Sequence, residues 1–170
     1  MIERRGQTMN QATLLALAIF PDQLEQFYAA VPLRRANWTP PSWDGIPSEH
    51  LTAIGQVCHV RDVEIDGYQQ RIERALAESN PQLPSLDTYQ LAKDRDYAHA
   101  SAAEALATFR AARRRTLDTI AALDAAQLER RAVFEGYGWV TVRGLIHYLC
   151  SHDQQHLAGL QWLLGKMESP

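Results

Sequence analysis

Apolar residues recur along this chain at the three- and four-residue spacing of α-helices, and the strict alternation typical of strands is nearly absent. Four long segments show the helical spacing, each with one apolar stripe. Helices that each bury one stripe pack around a shared core, so the pattern predicts an all-α four-helix bundle. No internal repeat or low-complexity segment interrupts it, and we predict that residues 1–170 form a single domain.

The first two predicted helices are separated by a loop rich in proline and tryptophan, over residues 32–47. The first helix runs from about Gln11 to Val31. Pro21 predicts a kink or a break within it, because proline lacks an N–H and clashes with the preceding turn. The second helix is expected to begin at Ser48, as its N-cap, and to run to about Ser79, where Asn80-Pro81 follows.

The last two helices have clear starts. Ser101-Ala-Ala-Glu104 is a capping box, which predicts a third helix continuing to about Leu123. Residues 134–139 read as a turn or loop. Thr141 is then the expected cap of a fourth helix that ends near Gly165.

The charge and hydropathy of the chain exclude two classes of partner. The formal net charge is -3 and the isoelectric point is about 6.1, whereas a general nucleic-acid binder needs a positive surface. No stretch approaches the roughly 20 apolar residues that cross a bilayer, and no signal-peptide cleavage site follows the first apolar run. We therefore expect a cytoplasmic protein that binds neither nucleic acid nor membrane.

Two histidines on the fourth helix are the sharpest chemical feature. His152 and His156 lie four residues apart, so both imidazoles project from one face, one turn apart. They continue the apolar stripe and are therefore expected to point into the bundle. Paired inward imidazoles are typical ligands of a divalent metal ion.

A third ligand is expected from a facing helix, because metal sites of helical bundles draw on facing helices. His59 and Asp62, one turn apart on the second helix, are the natural candidates. His59 follows Cys58 of the apolar stripe, so it lies about 100° around the helix, on a face that is polar and small. That position suits a site at the edge of the core, but it suits a plain surface histidine equally well.

The residues around these histidines resemble a known family. The segments are Gly55-Gln-Val-Cys-His-Val-Arg-Asp-Val-Glu64, Phe134-Glu-Gly-Tyr-Gly-Trp-Val-Thr-Val-Arg143 and His147-Tyr-Leu-Cys-Ser-His-Asp-Gln-Gln-His156. Their order and spacing are similar to those of DinB-like (damage-inducible-like) proteins. The resemblance covers nearly the whole chain.

This resemblance implies an up-down-down-up bundle, often a homodimer. It also implies that His59, His152 and His156 hold a divalent ion whose fourth position is open to water or substrate. Zinc or nickel is the expected metal, with iron or manganese as alternatives. Characterised relatives include enzymes that join a low-molecular-weight thiol to a small electrophile or isomerise the electrophile.

The leading functional hypothesis is therefore a metal-dependent transferase that uses such a thiol as its small-molecule partner. Coordination by a divalent cation would deprotonate the thiol. Asp62 is the candidate catalytic residue, since it could orient a ligand imidazole or accept a proton. An exposed helix carboxylate is the alternative reading of Asp62. A metal-dependent hydrolase and a non-catalytic metal-binding stress protein are the other hypotheses.

The acidic balance and the lack of a basic stripe predict that the protein does not bind duplex DNA at physiological salt, because displacing counterions from phosphates needs a positive surface. A gel-shift assay with a random duplex checks this, and a shifted band that weakens steeply with added salt would show the prediction to be wrong.

Overall fold

A computed structural model describes residues 8–169, and its four long helical segments form an up-down-down-up bundle. The predicted all-α fold is confirmed. Short helical turns at 33–35 and 97–99 and a small three-stranded sheet complete the fold. The helices are α1 (Gln11–Ala29), α2 (Ala53–Asp62), a π-helical segment (Val63–Gln69), α3 (Gln70–Ala77), α4 (Thr88–Asp94), α5 (Ala102–Ala121), α6 (Ala125–Leu128) and α7 (Val142–Glu168).

The four bundle members are α1, the continuous α2–π–α3 rod, α5 and α7. The N-terminal part of the rod packs on α5 and α7, and α1 packs on the same two helices from the other side. Long connections over 30–52 and 78–101 allow neighbouring helices to run parallel. Within the described part of the chain, no helix is long and apolar enough to cross a membrane.

Helix α1 continues through Pro21, so the predicted break does not occur. Proline has no N–H to give to the carbonyl four residues earlier, which belongs to Leu17. The Arg113 side chain on α5 fills that gap, since its Nη1 donates to the Leu17 carbonyl oxygen at 3.0 Å. The Leu17 carbonyl therefore has a donor although Pro21 supplies none.

The α2–π–α3 rod starts later than the sequence indicated. Thr52, not Ser48, is the N-cap, and its hydroxyl accepts a hydrogen bond from the Gly55 N–H. The rod then passes through seven residues of π-helix between Asp62 and Gln70. A π-turn contains more residues than an α-turn, so it shifts which side chains face the core from this point on.

The loop predicted over residues 134–139 is part of a β-hairpin. Strand β2 (Arg131–Phe134) pairs antiparallel with β3 (Gly138–Thr141), and β1 (Gln82–Leu83) pairs parallel with β2. Gly136 adopts φ +82° in the turn, a conformation that favours glycine. These strands are too short to show a clear alternation, which is why the sequence did not reveal them.

The apolar core is divided into two clusters. One, near the hairpin, contains Leu17, Leu145 and Leu149, and the other, toward the opposite end, contains Phe109 and Leu160. A layer of buried polar side chains from the α2–π–α3 rod, α5 and α7 lies between them. Its members are Gln56, His59, Asp62, Glu64, Arg113, Thr116, Asp153 and His156.

Arg113 is the centre of this polar layer. It is 1% exposed, and its guanidinium pairs with Glu64 of the π-segment and Asp153 of α7 at 2.7–3.0 Å. With the Leu17 carbonyl as a further acceptor, all five of its N–H donors are used. One side chain thus joins α5 to the three other members of the bundle.

Replacing Arg113 with Met is expected to lower the free energy of unfolding by about 3–5 kcal/mol, because Glu64 and Asp153 stay buried without their cation. Urea denaturation measures the change. The exposed neighbour Arg114 is the matched control, and Arg114→Met should change stability by less than about 0.5 kcal/mol. Equal stability of the two variants would contradict the central place given to Arg113.

Candidate metal centre

Three imidazoles meet in the polar layer. His59 projects from α2, and His152 and His156 project from α7, with one ligand nitrogen of each within 4.8 Å of the others. The Nε2 atoms of His59 and His152 are 3.1 Å apart. His59 is 1% exposed, so the surface alternative for this residue is wrong. The structure brings together the three histidines that the resemblance implied.

The rings of His59 and His152 are neutral at pH 7. Burial lowers the pKa of His59 to about 3, and the neighbouring His156 ring adds to the effect. Burial also lowers the pKa of His152, helped by the other two rings. Neutral imidazoles present lone pairs, so a cation meets no bound proton that it must first displace.

The tautomer of His156 is set by Gln56. The Gln56 amide nitrogen donates to the Leu51 carbonyl and to the Ser48 hydroxyl, so its Oε1 must be the atom that faces His156. His156 Nδ1 therefore carries the proton and donates to that oxygen at 2.6 Å. Its Nε2 is buried and can serve as a ligand atom whenever it carries no proton.

A close approach of α7 to the loop that precedes α2 makes this chain of hydrogen bonds possible. A Cβ at Gly159 would lie 2.3 Å from the Ser48 hydroxyl oxygen and 2.9 Å from the Gln56 amide nitrogen. Only glycine leaves room there. Gly159 thus lets Ser48 and Gln56 reach the position from which they orient His156.

Glu49 is a site residue that sequence reasoning missed. Its carboxylate lies 3.2 Å from His156 Nε2 and 3.8 Å from His59 Nε2. It belongs to a loop outside any periodic segment, so no sequence pattern pointed to it. A hydrogen bond from a protonated His156 lowers the pKa of Glu49 to about 2, against the effect of burial, and the charges of both rings contribute. The group is therefore a carboxylate at neutral pH.

The donor set fits a divalent metal ion. An ion with nitrogen ligands at 2.0–2.1 Å in tetrahedral geometry separates them by about 3.3 Å, close to the 3.1 Å between His59 and His152. His156 Nε2 also lies 3.2 Å from a Glu49 carboxylate oxygen, so a cation bound at this nitrogen would have a negative charge beside it. The residues present could therefore hold an ion.

Asp62 is buried but lies outside the histidine cluster. Its carboxylate accepts hydrogen bonds from Arg61 and Tyr97 and pairs with Arg95 at 2.8 Å. Burial favours the neutral acid, but these partners hold the pKa of Asp62 below its usual value. The alternative of an exposed carboxylate is wrong, since the side chain is 1% exposed. Its catalytic role stays a prediction, and no hydrogen bond to a histidine ring supports it within residues 8–169.

The remaining histidines lie on the surface, as expected. His50 and His147 are exposed, and the His99 side chain is 83% exposed. His147 contacts Thr13, and His50 stacks on Trp43. None of the three reaches the cluster of His59, His152 and His156.

Fold and site together define a four-helix-bundle protein with a histidine triad that could bind a divalent metal ion. The sequence profile of the DinB superfamily matches residues 16–160, and the chain belongs to that superfamily. The resemblance stated from the sequence is thereby confirmed. No curated protein sequence matches the chain.

Among solved structures, the chain is similar to YfiT from Bacillus subtilis, described as a probable metal-dependent hydrolase with an unusual four-helix bundle topology. The TM-score is 0.81 at 19% sequence identity, over 96% of this chain and 93% of that chain. At this identity the likeness shows a shared fold and topology.

Substituting any one of His59, His152 or His156 with Ala is expected to remove most of the bound metal, because two imidazoles alone hold an ion weakly. Metal per chain after identical purification measures the effect, alongside the melting temperature with and without a chelator. His99→Ala and His147→Ala are the controls and should keep the metal. Full metal in His59→Ala would show that α2 does not supply the ligand.

Replacing Gln56 with Leu is expected to weaken metal binding by about 10–100-fold while all three ligands remain, because His156 loses the acceptor that fixes its tautomer. Competition titration with a chromogenic chelator gives the affinity. Gln155, exposed on α7, is the matched control. Unchanged affinity in Gln56→Leu would mean that His156 is oriented by other contacts.

Proposed function

We propose that this protein is a divalent-metal-dependent hydrolase of a small molecule, with zinc or nickel held by His59, His152 and His156. The observation that carries the proposal is the Glu49 carboxylate beside the two ligand nitrogens of His59 and His156. A triad of histidine ligands leaves a coordination position open. An ion in such a site lowers the pKa of bound water to near 7.

Glu49 is proposed as the proton acceptor. It is half-buried at 36% exposure, so one side of the carboxylate is within reach of solvent and of a substrate. When His156 Nε2 serves as a ligand, it carries no proton and no longer donates a hydrogen bond to Glu49. The carboxylate is then free to take a proton from an attacking water and to pass it to the leaving group.

The thiol-dependent transferase expected from the resemblance needs the same ligands. Coordination alone ionises a thiol, so that reaction has no need of an adjacent base. A carboxylate beside the ligand nitrogens would also repel a thiolate. Glu49 therefore favours water as the nucleophile.

We also propose that the protein is a homodimer, as the resemblance implies, and that it is cytoplasmic.

Glu49→Gln is expected to lower the rate of ester hydrolysis by the zinc-loaded protein by about 10²–10⁴-fold, with metal content unchanged. p-Nitrophenyl acetate is a suitable probe. Glu73→Gln, an exposed change on α3, is the control and should leave the rate unaltered.

Two outcomes would contradict the hydrolase proposal. Loss of metal in Glu49→Gln would make Glu49 a ligand and not a base. Wild-type protein that leaves the ester intact, but joins cysteine to 1-chloro-2,4-dinitrobenzene in a zinc-dependent way, would establish the transferase instead.

A further inference from the structure

Arg71 on α3 is a buried cation with no acidic partner within residues 8–169. It is 6% exposed. Arg113, which is buried to a similar degree, pairs with two carboxylates and fills all its donors. A buried charge without a counter-ion is unfavourable, and burial accordingly lowers the pKa of Arg71.

Most of the hydrogen-bonding capacity of Arg71 is unused. Its Nε and Nη2 donate to the Pro84 carbonyl at 3.4 and 3.2 Å, which are long distances for such bonds. A guanidinium has five N–H donors, so three of those in Arg71 have no acceptor in the described part of the chain. Nη1 lies against Gly67, where a Cβ would come within 2.8 Å of it.

Aromatic rings hold the guanidinium in place. Its Cζ lies 5.2 Å from the centre of the Tyr68 ring and 4.5 Å from that of Phe134. Phe134 stacks on Tyr137, which in turn contacts Tyr148. The guanidinium is itself planar, which favours a planar ligand with two acceptor atoms.

This arrangement adjoins the metal centre. The Tyr68 ring, 4% exposed, lies 6.1 Å from the His152 ring. The Tyr68 hydroxyl has no hydrogen-bond partner within residues 8–169, although its ring is buried among packed neighbours. The positive charge of Arg71 also contributes to the lowered pKa of His152, although it is one of the smaller causes.

We propose that Arg71 and the Tyr68 hydroxyl bind a carboxylate group of the substrate, beside the metal centre. The guanidinium supplies two parallel N–H donors and the missing negative charge comes from the ligand. As a statement about substrate, this inference rests on the proposed function. The substrate is then a small carboxylic acid whose hydrolysable bond reaches the triad while its carboxylate lies at Arg71.

The test measures anion binding to metal-free protein, so that it does not depend on catalysis. The probe is sodium acetate, titrated at constant ionic strength with chloride as the balancing anion. The side-chain Nε–H signal of Arg71 is followed by ¹H–¹⁵N NMR and should shift in a saturable way. Inorganic phosphate, which is tetrahedral, is titrated in parallel and should bind more weakly.

Two variants and one control separate recognition from packing. Arg71→Met keeps an unbranched side chain between the two rings and should weaken acetate binding by about tenfold or more, read from the Tyr68 and His152 signals. Tyr68→Phe removes only the hydroxyl and should weaken it by about fivefold. Arg74→Met removes a partly exposed arginine of the same helix that pairs with Glu78 and donates to the Gln82 carbonyl, and should leave the affinity unchanged.

The inference is overturned if Tyr68→Phe and Arg71→Met bind acetate as the wild type does, even where Arg71→Met is less stable. Arg71 would then serve only to pack the rings. Tighter binding of phosphate than of acetate at Arg71 would also overturn the assignment of a carboxylate. Saturable acetate binding in a protein that takes up no zinc would support the anion site and refute the proposed hydrolase, so the two failures are distinguishable.

Discussion

A single buried guanidinium determines how the four helices of this bundle meet. Each of the five N–H groups of Arg113 has an acceptor, and those acceptors lie on α1, the π-segment and α7. An unpaired buried donor costs about 1–3 kcal/mol, so sliding any helix by one turn would leave several groups unsatisfied. Arg113 also donates to the Leu17 carbonyl of α1, which has no backbone donor because Pro21 lacks an N–H. Apolar packing stabilises the bundle, and Arg113 selects its register.

The histidine cluster depends on that register. Glu64 lies five residues after His59 on the same rod, and Asp153 directly follows His152 on α7. Pairing both carboxylates with Arg113 therefore fixes the two ligand-bearing helices relative to each other. The loop before α2 also contacts Gly159, and this contact places Gln56 against His156. The ligands thus come from helices, whereas Glu49 comes from the loop before α2.

Periodicity and capping residues predicted the helical bundle well. The starts at Ser101 and Thr141 and the inward face of His152 and His156 followed from local rules and agree with the structure, except that the Glu104 side chain does not complete the predicted capping box. The predictions failed where a distant residue overrides a local rule. Pro21 stays helical because Arg113, far away in sequence, completes its turn. The position of His59 was ambiguous because the π-segment changes the phase of the rod and because α2 is buried on nearly all sides. Glu49 has no periodic context, and only the folded loop brings it to the imidazoles.

The central claim is that three imidazoles from two helices bind one divalent ion. X-ray absorption spectroscopy of the zinc-loaded wild-type protein tests it most directly, because it reports the type and distance of the ligand atoms. We expect a first shell of nitrogen and oxygen at about 2.0–2.1 Å, with the outer-shell scattering of three imidazoles. A sulfur ligand at about 2.3 Å, which Cys58 beside His59 could supply, would contradict the account. So would a shell of oxygen atoms with fewer than three imidazoles.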